Sequence, residues 1–208
     1  MKHHLQGLLA KMPSNLTVQV RLPSNRDQTG ELSLIDPITQ LPVFGPVPVL
    51  GRAAKNIAVA HGNPARTSTL PFGHTPLGSY SIVSILKNGT GTSRPENQYG
   101  KSGSIVLDPQ SGDAAVAKRN GRVGLLIHGG RQANNPTPLP SHLISTSGCL
   151  RMLDGDLAKL IEAIKQNNFL FPGIITVEIS TIGGVQATLD ETIQDADPPP
   201  MDGGIVHP

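Results

Sequence analysis

Glycine and proline set the strongest limit on the fold, because together they occupy 42 of the 208 positions, 23 and 19 respectively. They make up about a fifth of this chain, whereas an average protein contains about 12% of the two residues together. Both residues interrupt helices and strands, so segments of regular structure must be short. The composition therefore favours many short strands joined by turns over a bundle of long helices.

Charge and aromatic content argue against nucleic-acid binding. Charged residues are 15% of the chain, the net charge is +2, and aromatic residues are 3% with no tryptophan. A nucleic-acid groove needs clustered positive charge and often aromatic rings for base stacking. The apolar run at residues 8–10 is too short for a signal peptide, and no run of 18 apolar residues predicts a membrane span. We expect no nucleic-acid partner, no transmembrane segment and no clear signal peptide.

Short alternating segments predict strands. In Thr17–Leu22 apolar and polar residues alternate with a period of two, which is typical of a half-buried strand. Similar runs, bounded by turn residues, occur at Glu31–Ile35, Val47–Leu50, Ser79–Leu86, Ser104–Leu107, Val123–Ile127 and Ile174–Ile179. Four prolines at 37, 42, 46 and 48 predict an edge strand or an extended loop, because proline cannot donate to a sheet ladder.

One helix is predicted near residues 154–167. Apolar residues recur there at i, i+3, i+4 and i+7, namely Leu157, Leu160, Ile161 and Ile164, with Asp154 as the candidate N-cap. The chain as a whole divides into an N-terminal extension at residues 1–14, a domain at 15–180 and a Pro/Gly-rich tail at 181–208. The tail has little apolar surface to bury, so we expect it to be poorly ordered.

Cys149 is the single cysteine, which excludes an internal disulfide and a four-cysteine zinc site. A single thiol is usually a small buried hydrophobe, but the surrounding sequence favours chemistry here. An apolar strand delivers His128 into a Gly-Gly loop, and the polar loop that follows returns to Ser147-Gly148-Cys149. Thiol catalysis needs an imidazole to take the thiol proton. The small residues Ser147 and Gly148 let the amides of Ser147, Gly148 and Cys149 form an oxyanion hole.

Other thiol and metal sites fit less well. A papain-type cysteine precedes its histidine in the chain, whereas here His128 comes first. The histidines are spread over loops without the spacing of metal ligands, at His61, His74, His128 and His142. We expect neither a metal nor an organic cofactor.

These residues resemble the signature of the YkuD-type L,D-transpeptidases, which is a histidine, a loop, Ser/Thr-His-Gly-Cys, a hydrophobic residue and Asn or Arg. Here 17 residues separate His128 from Thr146, and the run TSGCLR then ends at Arg151, with Ser147 in place of the second histidine. The upstream segment His74–Ile82 (HTPLGSYSI) is similar to the Thr-Pro-x-Gly-x-Tyr/Phe segment of the family. For His74 and Tyr80, however, a turn and the following strand are the favoured roles. The resemblance implies a mainly β catalytic domain, a β-sandwich of mixed sheets with one substantial helix after the catalytic cysteine.

The resemblance also implies a reaction. Cys149 would attack the carbonyl of the diamino acid in a peptidoglycan stem tetrapeptide, release D-alanine and leave a thioester. An amine would then form a 3-3 cross-link or exchange the terminal residue, and water would give L,D-carboxypeptidase activity. His128 would act as base and then as acid, with its ring held by the carbonyl of Gly129. Carbapenem-type β-lactams would be acylating inhibitors.

Three residues are candidates for substrate binding, each with an alternative. Arg151 would meet a substrate carboxylate or form a structural ion pair. Thr146 would bind substrate or cap a turn. His142 would touch substrate or be an exposed loop residue without a role.

Two other functions remain open at the level of the sequence. One is a secreted interbacterial effector with L,D-carboxypeptidase or exchange activity on a rival's wall, for which an immunity protein would be a partner. The other is a non-catalytic peptidoglycan-binding module. In each case the site of action would be the periplasm or the cell wall, and an enzyme of this kind would serve cell wall biogenesis and cell shape.

Overall fold

The computed structural model describes residues 16–130, 143–170 and 176–182. Within these ranges it contains eight strands and four helices. The strands are β1 (Thr17–Pro23), β2 (Gly30–Ile35), β3 (Pro42–Leu50), β4 (Gly78–Leu86), β5 (Ser104–Pro109), β6 (Leu126–His128), β7 (Leu150–Met152) and β8 (Thr176–Ile182). The helices are α1 (Lys55–Ala60), α2 (Glu96–Tyr99), α3 (Gly112–Arg119) and α4 (Asp154–Leu170). The predicted extension at residues 1–14 and residues 183–208 of the predicted tail lie outside the described residues, whereas residues 181 and 182 belong to β8.

The strands form a closed barrel in the order β1-β2-β3-β7-β6-β5-β4-β8. Closure depends on β8, which pairs in parallel with β1 and antiparallel with β4. The prediction of a mainly β domain is confirmed. The predicted sandwich of mixed sheets is wrong, because one ladder of strand pairs runs around all eight strands. Residue alternation shows which side of a strand is buried, and a barrel and a sandwich both bury one side of each strand.

The proline-rich strand β3 has two different halves. Pro42 and Pro48 lie in the part of the strand that pairs with β2 alone, opposite Ile35 and Glu31. The ladder with β7 is formed by the last two residues of the strand, 49 and 50. Proline is tolerated along the first half because it need not donate to a ladder on both sides. The predicted edge-like character therefore applies to that half, although β3 as a whole lies inside the barrel order.

Apolar side chains fill the interior of the barrel. Alternate residues of β1 and β2 are fully buried, and β4 to β8 contribute further apolar residues. The largest buried side chains on the strands are Tyr80, Leu22, Leu32, Leu34, Ile105, Ile127, Leu150 and Met152. Helix α4 adds the predicted stripe of Leu157, Leu160, Ile161 and Ile164 to the same core. The core is therefore continuous from the sheet to the helix that follows the cysteine.

The predicted single substantial helix is not confirmed as stated. Helix α4 is present with 17 residues, but the described ranges also contain α3 with eight residues, α1 with six and α2 with four. Helices this short carry too few turns to produce an apolar stripe in the sequence. Asp154 is the first residue of α4, and its carboxylate accepts hydrogen bonds from the N–H groups of Lys101 (3.1 Å) and Ser102 (3.4 Å). None of the helices in the described ranges has the length and apolar content of a membrane span.

Candidate active site

The register of β6 and β7 places the predicted base beside the strand that directly follows the predicted nucleophile. The two strands are parallel, with Ile127 opposite Leu150 and His128 opposite Arg151. Ile127 and Leu150 belong to the buried core. Side chains alternate along a strand, so His128 and Arg151 lie on the outer face of the barrel. Cys149 directly precedes β7, and the charge of Arg151 acts on both Cys149 and His128.

The ring of His128 is buried and held in one orientation. Its Nδ1 lies 2.8 Å from the carbonyl oxygen of Gly129, which is where the sequence prediction places this contact. Because a carbonyl oxygen only accepts, Nδ1 carries the hydrogen and the lone pair of Nε2 remains available as a base. The Tyr99 ring packs against the imidazole with 4.9 Å between the ring centroids. The histidine is therefore oriented by a backbone carbonyl on one side and by an aromatic ring on another.

Burial keeps this imidazole neutral. Desolvation is the largest effect and, with the positive charge of Arg151, lowers the pKa of His128 to about 3. The hydrogen bond to Gly129 favours the charged form but is a smaller effect. At neutral pH the ring is therefore a proton acceptor.

The Cys149 thiol is half-buried and donates to the carbonyl oxygen of Gly124 at 3.6 Å. Burial raises the pKa of Cys149. A hydrogen bond from the Leu126 backbone and the positive charges of Arg122 and Arg151 act in the opposite direction without cancelling the burial effect. The resting pair is therefore a thiol and a neutral imidazole. Thiolate must form by proton transfer during the reaction.

Residues Thr146–Gly148 form the nucleophile turn, which leads directly into Cys149. The Gly148 N–H donates to Thr146 Oγ1 at 2.9 Å, and the same hydroxyl donates to the Cys149 carbonyl oxygen at 2.9 Å. Gly148 has a φ of +104°, and a Cβ at this position would collide with Arg122 and with the Gly73 carbonyl. Only glycine fits both the backbone conformation and the space.

A buried arginine, Arg122, holds the nucleophile turn against the neighbouring loop. Its two terminal nitrogens donate to five carbonyl oxygens at 2.6 to 3.4 Å, those of Ser68, Leu70, Gly73, His74 and Gly148. Thr75 Oγ1 donates to the same Gly148 oxygen at 2.9 Å. Burial lowers the pKa of Arg122 to about 10, so the side chain stays cationic at neutral pH.

Comparison with known proteins identifies the family. A family model described as the L,D-transpeptidase catalytic domain, YkuD, matches residues 49–179, which is more than half of the chain. The chain belongs to the YkuD L,D-transpeptidase family. The matched residues include His128 and Cys149, whereas β1 and β2 of the barrel precede them. A search of curated proteins finds no match.

Two of the predicted substrate contacts in this L,D-transpeptidase domain are engaged within the protein. Arg151 is buried, and its Nη2 donates to the Gln98 carbonyl oxygen at 3.2 Å, which ties the guanidinium to α2. The Thr146 hydroxyl is used inside the nucleophile turn on both its donor and its acceptor side. The alternative role predicted for Thr146, capping a turn, is the one that this geometry favours. His142, the third candidate, lies outside the described residues.

The predicted oxyanion hole needs a revision. The sequence prediction uses the amides of Ser147, Gly148 and Cys149, but the Gly148 N–H already donates to Thr146. Gly148 is therefore not an available donor in this conformation. Ser147 is half-buried and lies in an isolated bridge with Ala53.

The upstream segment His74–Ile82 packs beside the nucleophile turn. His74 Nδ1 accepts a hydrogen bond from the Ala53 N–H at 3.2 Å, and Thr75 contacts Gly148 as described above. Tyr80 is buried in the core, where its hydroxyl donates to the Pro76 carbonyl oxygen at 2.7 Å. The turn and strand expected for this segment are therefore present, and they also support the nucleophile.

Sequence reasoning missed Arg122. Its hydrogen-bond acceptors lie 26 to 54 residues away along the chain, so no local sequence pattern predicts these contacts. In the sequence it is one of three nearby basic residues, with Lys118 and Arg119, that precede an apolar run. Its importance appears only when the fold brings the loop at 68–74 and the nucleophile turn together.

Proposed function

We propose that this protein is a cysteine-dependent L,D-transpeptidase that acts on peptidoglycan stem tetrapeptides through a thioester. The main supporting observation is that β6 and β7 set His128 opposite Arg151, two residues after Cys149, and that the charge of Arg151 acts on both His128 and Cys149. Membership of the YkuD family supports the reaction class. The periplasm or cell wall would be the site of action, because the substrate is located there.

The proposed reaction begins from a neutral thiol and a neutral imidazole. His128 Nε2 takes the thiol proton while Cys149 Sγ bonds to the carbonyl carbon of the diamino acid. The tetrahedral intermediate collapses when Nε2 returns that proton to the leaving nitrogen, which releases D-alanine and leaves a thioester. An acceptor amine or water then attacks the thioester, and its proton passes through Nε2 back to sulfur. Thiol and imidazole are thus restored in each cycle.

Stabilisation of the oxyanion would come from the remaining backbone donors of the nucleophile turn. The amide of Cys149 itself is the principal candidate, because the Gly148 amide is engaged by Thr146. Backbone donors fixed before the reaction stabilise developing negative charge without reorganisation. The anchoring of this turn by Arg122 and Thr75 would supply that fixed geometry.

The direct test is turnover of a purified disaccharide tetrapeptide. We expect release of D-alanine with wild-type protein, cross-linked product when an acceptor stem peptide is present, and tripeptide when water is the acceptor. Cys149→Ala should release no D-alanine. Undiminished D-alanine release by Cys149→Ala would refute the proposal, and binding of the tetrapeptide without any release would favour a non-catalytic peptidoglycan-binding module.

The same reaction serves either wall synthesis or antagonism, and expression in a Gram-negative host separates the two. We expect periplasm-targeted protein to add 3-3 cross-links without toxicity, as a housekeeping enzyme does. Lysis or loss of tetrapeptides with the targeted form alone, abolished by Cys149→Ala, would indicate the effector instead.

A further inference from the structure

A pair of arginines lies next to the nucleophile turn and shares one carboxylate. The Nη1 atoms of Arg52 and Arg66 lie 3.6 Å and 3.3 Å from the same oxygen, Asp27 Oδ1. The two arginine side chains are about one-fifth exposed, at 22% and 23%, and Asp27 is 49% exposed. Both guanidinium groups are therefore fixed by the protein and still reach solvent.

Backbone contacts connect this pair to the nucleophile turn. Arg66 Nη1 donates to the Ala53 carbonyl oxygen at 3.4 Å. Ala53 forms bridges to Thr146 and Ser147, and the Thr146 N–H donates to the Arg52 carbonyl oxygen at 3.0 Å. Adjacent strands are separated by about 4.8 Å, and an extended peptide advances about 3.3 Å per residue. A donor peptide with its reacting carbonyl at the cysteine therefore needs only a few residues to reach the arginines.

Positive charge exceeds negative charge around the pair. Arg26 is half-buried, and its Nη1 is buried without a hydrogen-bond partner among the described residues. Arg26 and Arg66 both lie close enough to His74 to lower the pKa of its imidazole, whereas Asp27 alone acts in the opposite direction. Asp27 thus faces the two guanidinium groups of the pair, while the acidic partner of Arg26 is Asp113, and the net positive charge of the pair favours an additional anion.

The imidazole beside the arginines is also a hydrogen-bond donor. His74 Nδ1 accepts from the Ala53 N–H, so the hydrogen of the neutral ring is on Nε2. Burial, together with the neighbouring arginines, lowers the pKa of His74 to about 4, which keeps the ring neutral at pH 7. The guanidinium groups and the imidazole N–H form a surface that consists mainly of hydrogen-bond donors.

The backbone of Arg66 adopts a left-handed conformation. Its φ is +53°, a left-handed conformation that costs a residue with a Cβ about 1 kcal/mol relative to glycine. The side chain held there is long, charged and partly exposed. Strain at a partly exposed charged residue points to a role for that side chain.

We propose that Arg52, Arg66 and His74 form a carboxylate-binding subsite for the acyl donor. The inference rests on the proposed function, because that function supplies the donor. A stem tetrapeptide has two carboxylates within reach, the free carboxylate of its second residue and that of its terminal D-alanine. The chemistry of the subsite recognises either one.

The test compares donors that lack one carboxylate at a time. Thioester formation is measured with the tetrapeptide, with the tetrapeptide amidated at its second residue, and with the tetrapeptide amidated at its terminal alanine. Arg52→Gln and Arg66→Gln should each lower kcat/KM for the parent donor about 10- to 100-fold, mainly through KM, as expected for loss of a charge-assisted hydrogen bond. For the donor that lacks the recognised carboxylate, kcat/KM should be the same in each variant as in the wild type. Arg66→Lys should recover part of the loss.

Controls separate this inference from folding and from the proposed function. Arg119→Gln removes an exposed arginine at the end of α3 and should leave kcat/KM unchanged. Melting temperatures of all variants show whether the fold persists. An equal loss on all three donors, or no loss on any, would overturn the subsite while leaving thioester chemistry intact. Absence of thioester with every donor and wild-type protein would instead overturn the proposed function.

Discussion

The base and the nucleophile are positioned by different means. His128 is a strand residue, with Ser104 opposite it on one side and Arg151 on the other. Cys149 follows a turn with a positive-φ glycine, and that turn is held by hydrogen bonds from Arg122 and other side chains of distant segments. The strand pairing of the barrel therefore fixes the position of the base, whereas a few polar side chains fix the position of the nucleophile. Single substitutions outside the catalytic pair should therefore affect the nucleophile more than the base.

The largest effect on acylation is expected when the base itself is removed. In His128→Asn the amide nitrogen can still donate to the Gly129 carbonyl, but no group accepts the thiol proton. Acylation by a carbapenem, followed by intact-mass spectrometry, should slow by about 10²- to 10⁴-fold. The melting temperature should change little, because the strand is held by its ladders. A rate within a fewfold of wild type would show that His128 is not the base.

Arg122→Met should give the second largest effect. The change removes the charged donor from five carbonyl oxygens, of which, among the described residues, only those of Gly148 and Leu70 keep another donor, and it weakens the anchoring of the nucleophile turn. We expect roughly 3 kcal/mol of lost stability, since buried groups are left unsatisfied, and a 10- to 100-fold slower acylation. Arg122→Lys should recover only part of the stability and of the acylation rate, because an ammonium group has fewer hydrogen-bond donors in a less fixed geometry.

A matched control for Arg122 is Arg119→Met, which changes an exposed arginine at the end of α3. It should leave stability and acylation near wild type. The pH dependence of thiol alkylation adds a separate readout, because the charge of Arg122 lowers the pKa of Cys149 and its removal should move the alkylation midpoint to higher pH. An unchanged alkylation profile in Arg122→Met would contradict the electrostatic part of the argument.

Thr146→Val tests the nucleophile turn with a smaller change. Valine keeps the shape of threonine but loses the bonds to the Gly148 amide and the Cys149 carbonyl. Each such bond contributes about 1 kcal/mol, so acylation should slow about 3- to 10-fold. Thr75→Val should have less effect, because Arg122 also donates to the Gly148 oxygen. Faster acylation in Thr146→Val would instead show that the Gly148 amide serves the oxyanion once it is released.

The smallest effect near neutral pH is expected for the free energy of unfolding, which depends on pH through the buried base. The pKa of His128 is about 3 in the folded protein and about 6.5 in an unfolded chain, so the unfolded state binds more protons between these values. The contribution of this group is fully present above pH 6.5. It declines by up to about 1.4 kcal/mol per pH unit as the pH falls toward 3. Urea unfolding at several pH values should show a shallower decline for His128→Asn, and parallel curves would contradict it.

Local patterns in the sequence located seven of the eight strands in the described ranges and the α4 stripe, but they missed the three-residue strand β7 and the closure of the barrel. Closure depends on the pairing of β8 with β1 and β4, which are far from it along the chain. A period of two carries no information about such partners. The three short helices could not be predicted either, because α1 to α3 are too short to show a periodic apolar face.

The candidate site divides in the same way. Cys149, His128 and the Gly129 carbonyl were found because their motif lies in the sequence around one loop. The role of Arg122, the engagement of the Gly148 amide and the arginine pair at Asp27 were not found, because each depends on contacts between distant segments. Sequence reasoning therefore recovered the reacting groups and missed most of the groups that hold them.

Acylation of the thiol is the most direct measurement of the central claim, that Cys149 is the nucleophile of an acyl transfer. Wild-type protein, Cys149→Ala and His128→Asn are mixed with a carbapenem, and the intact mass is followed with time. The account predicts one adduct on the wild type, located at Cys149 by peptide mapping, much slower formation with His128→Asn, and none with Cys149→Ala. The same adduct on Cys149→Ala, or an adduct on the wild type that maps to another residue, would contradict it.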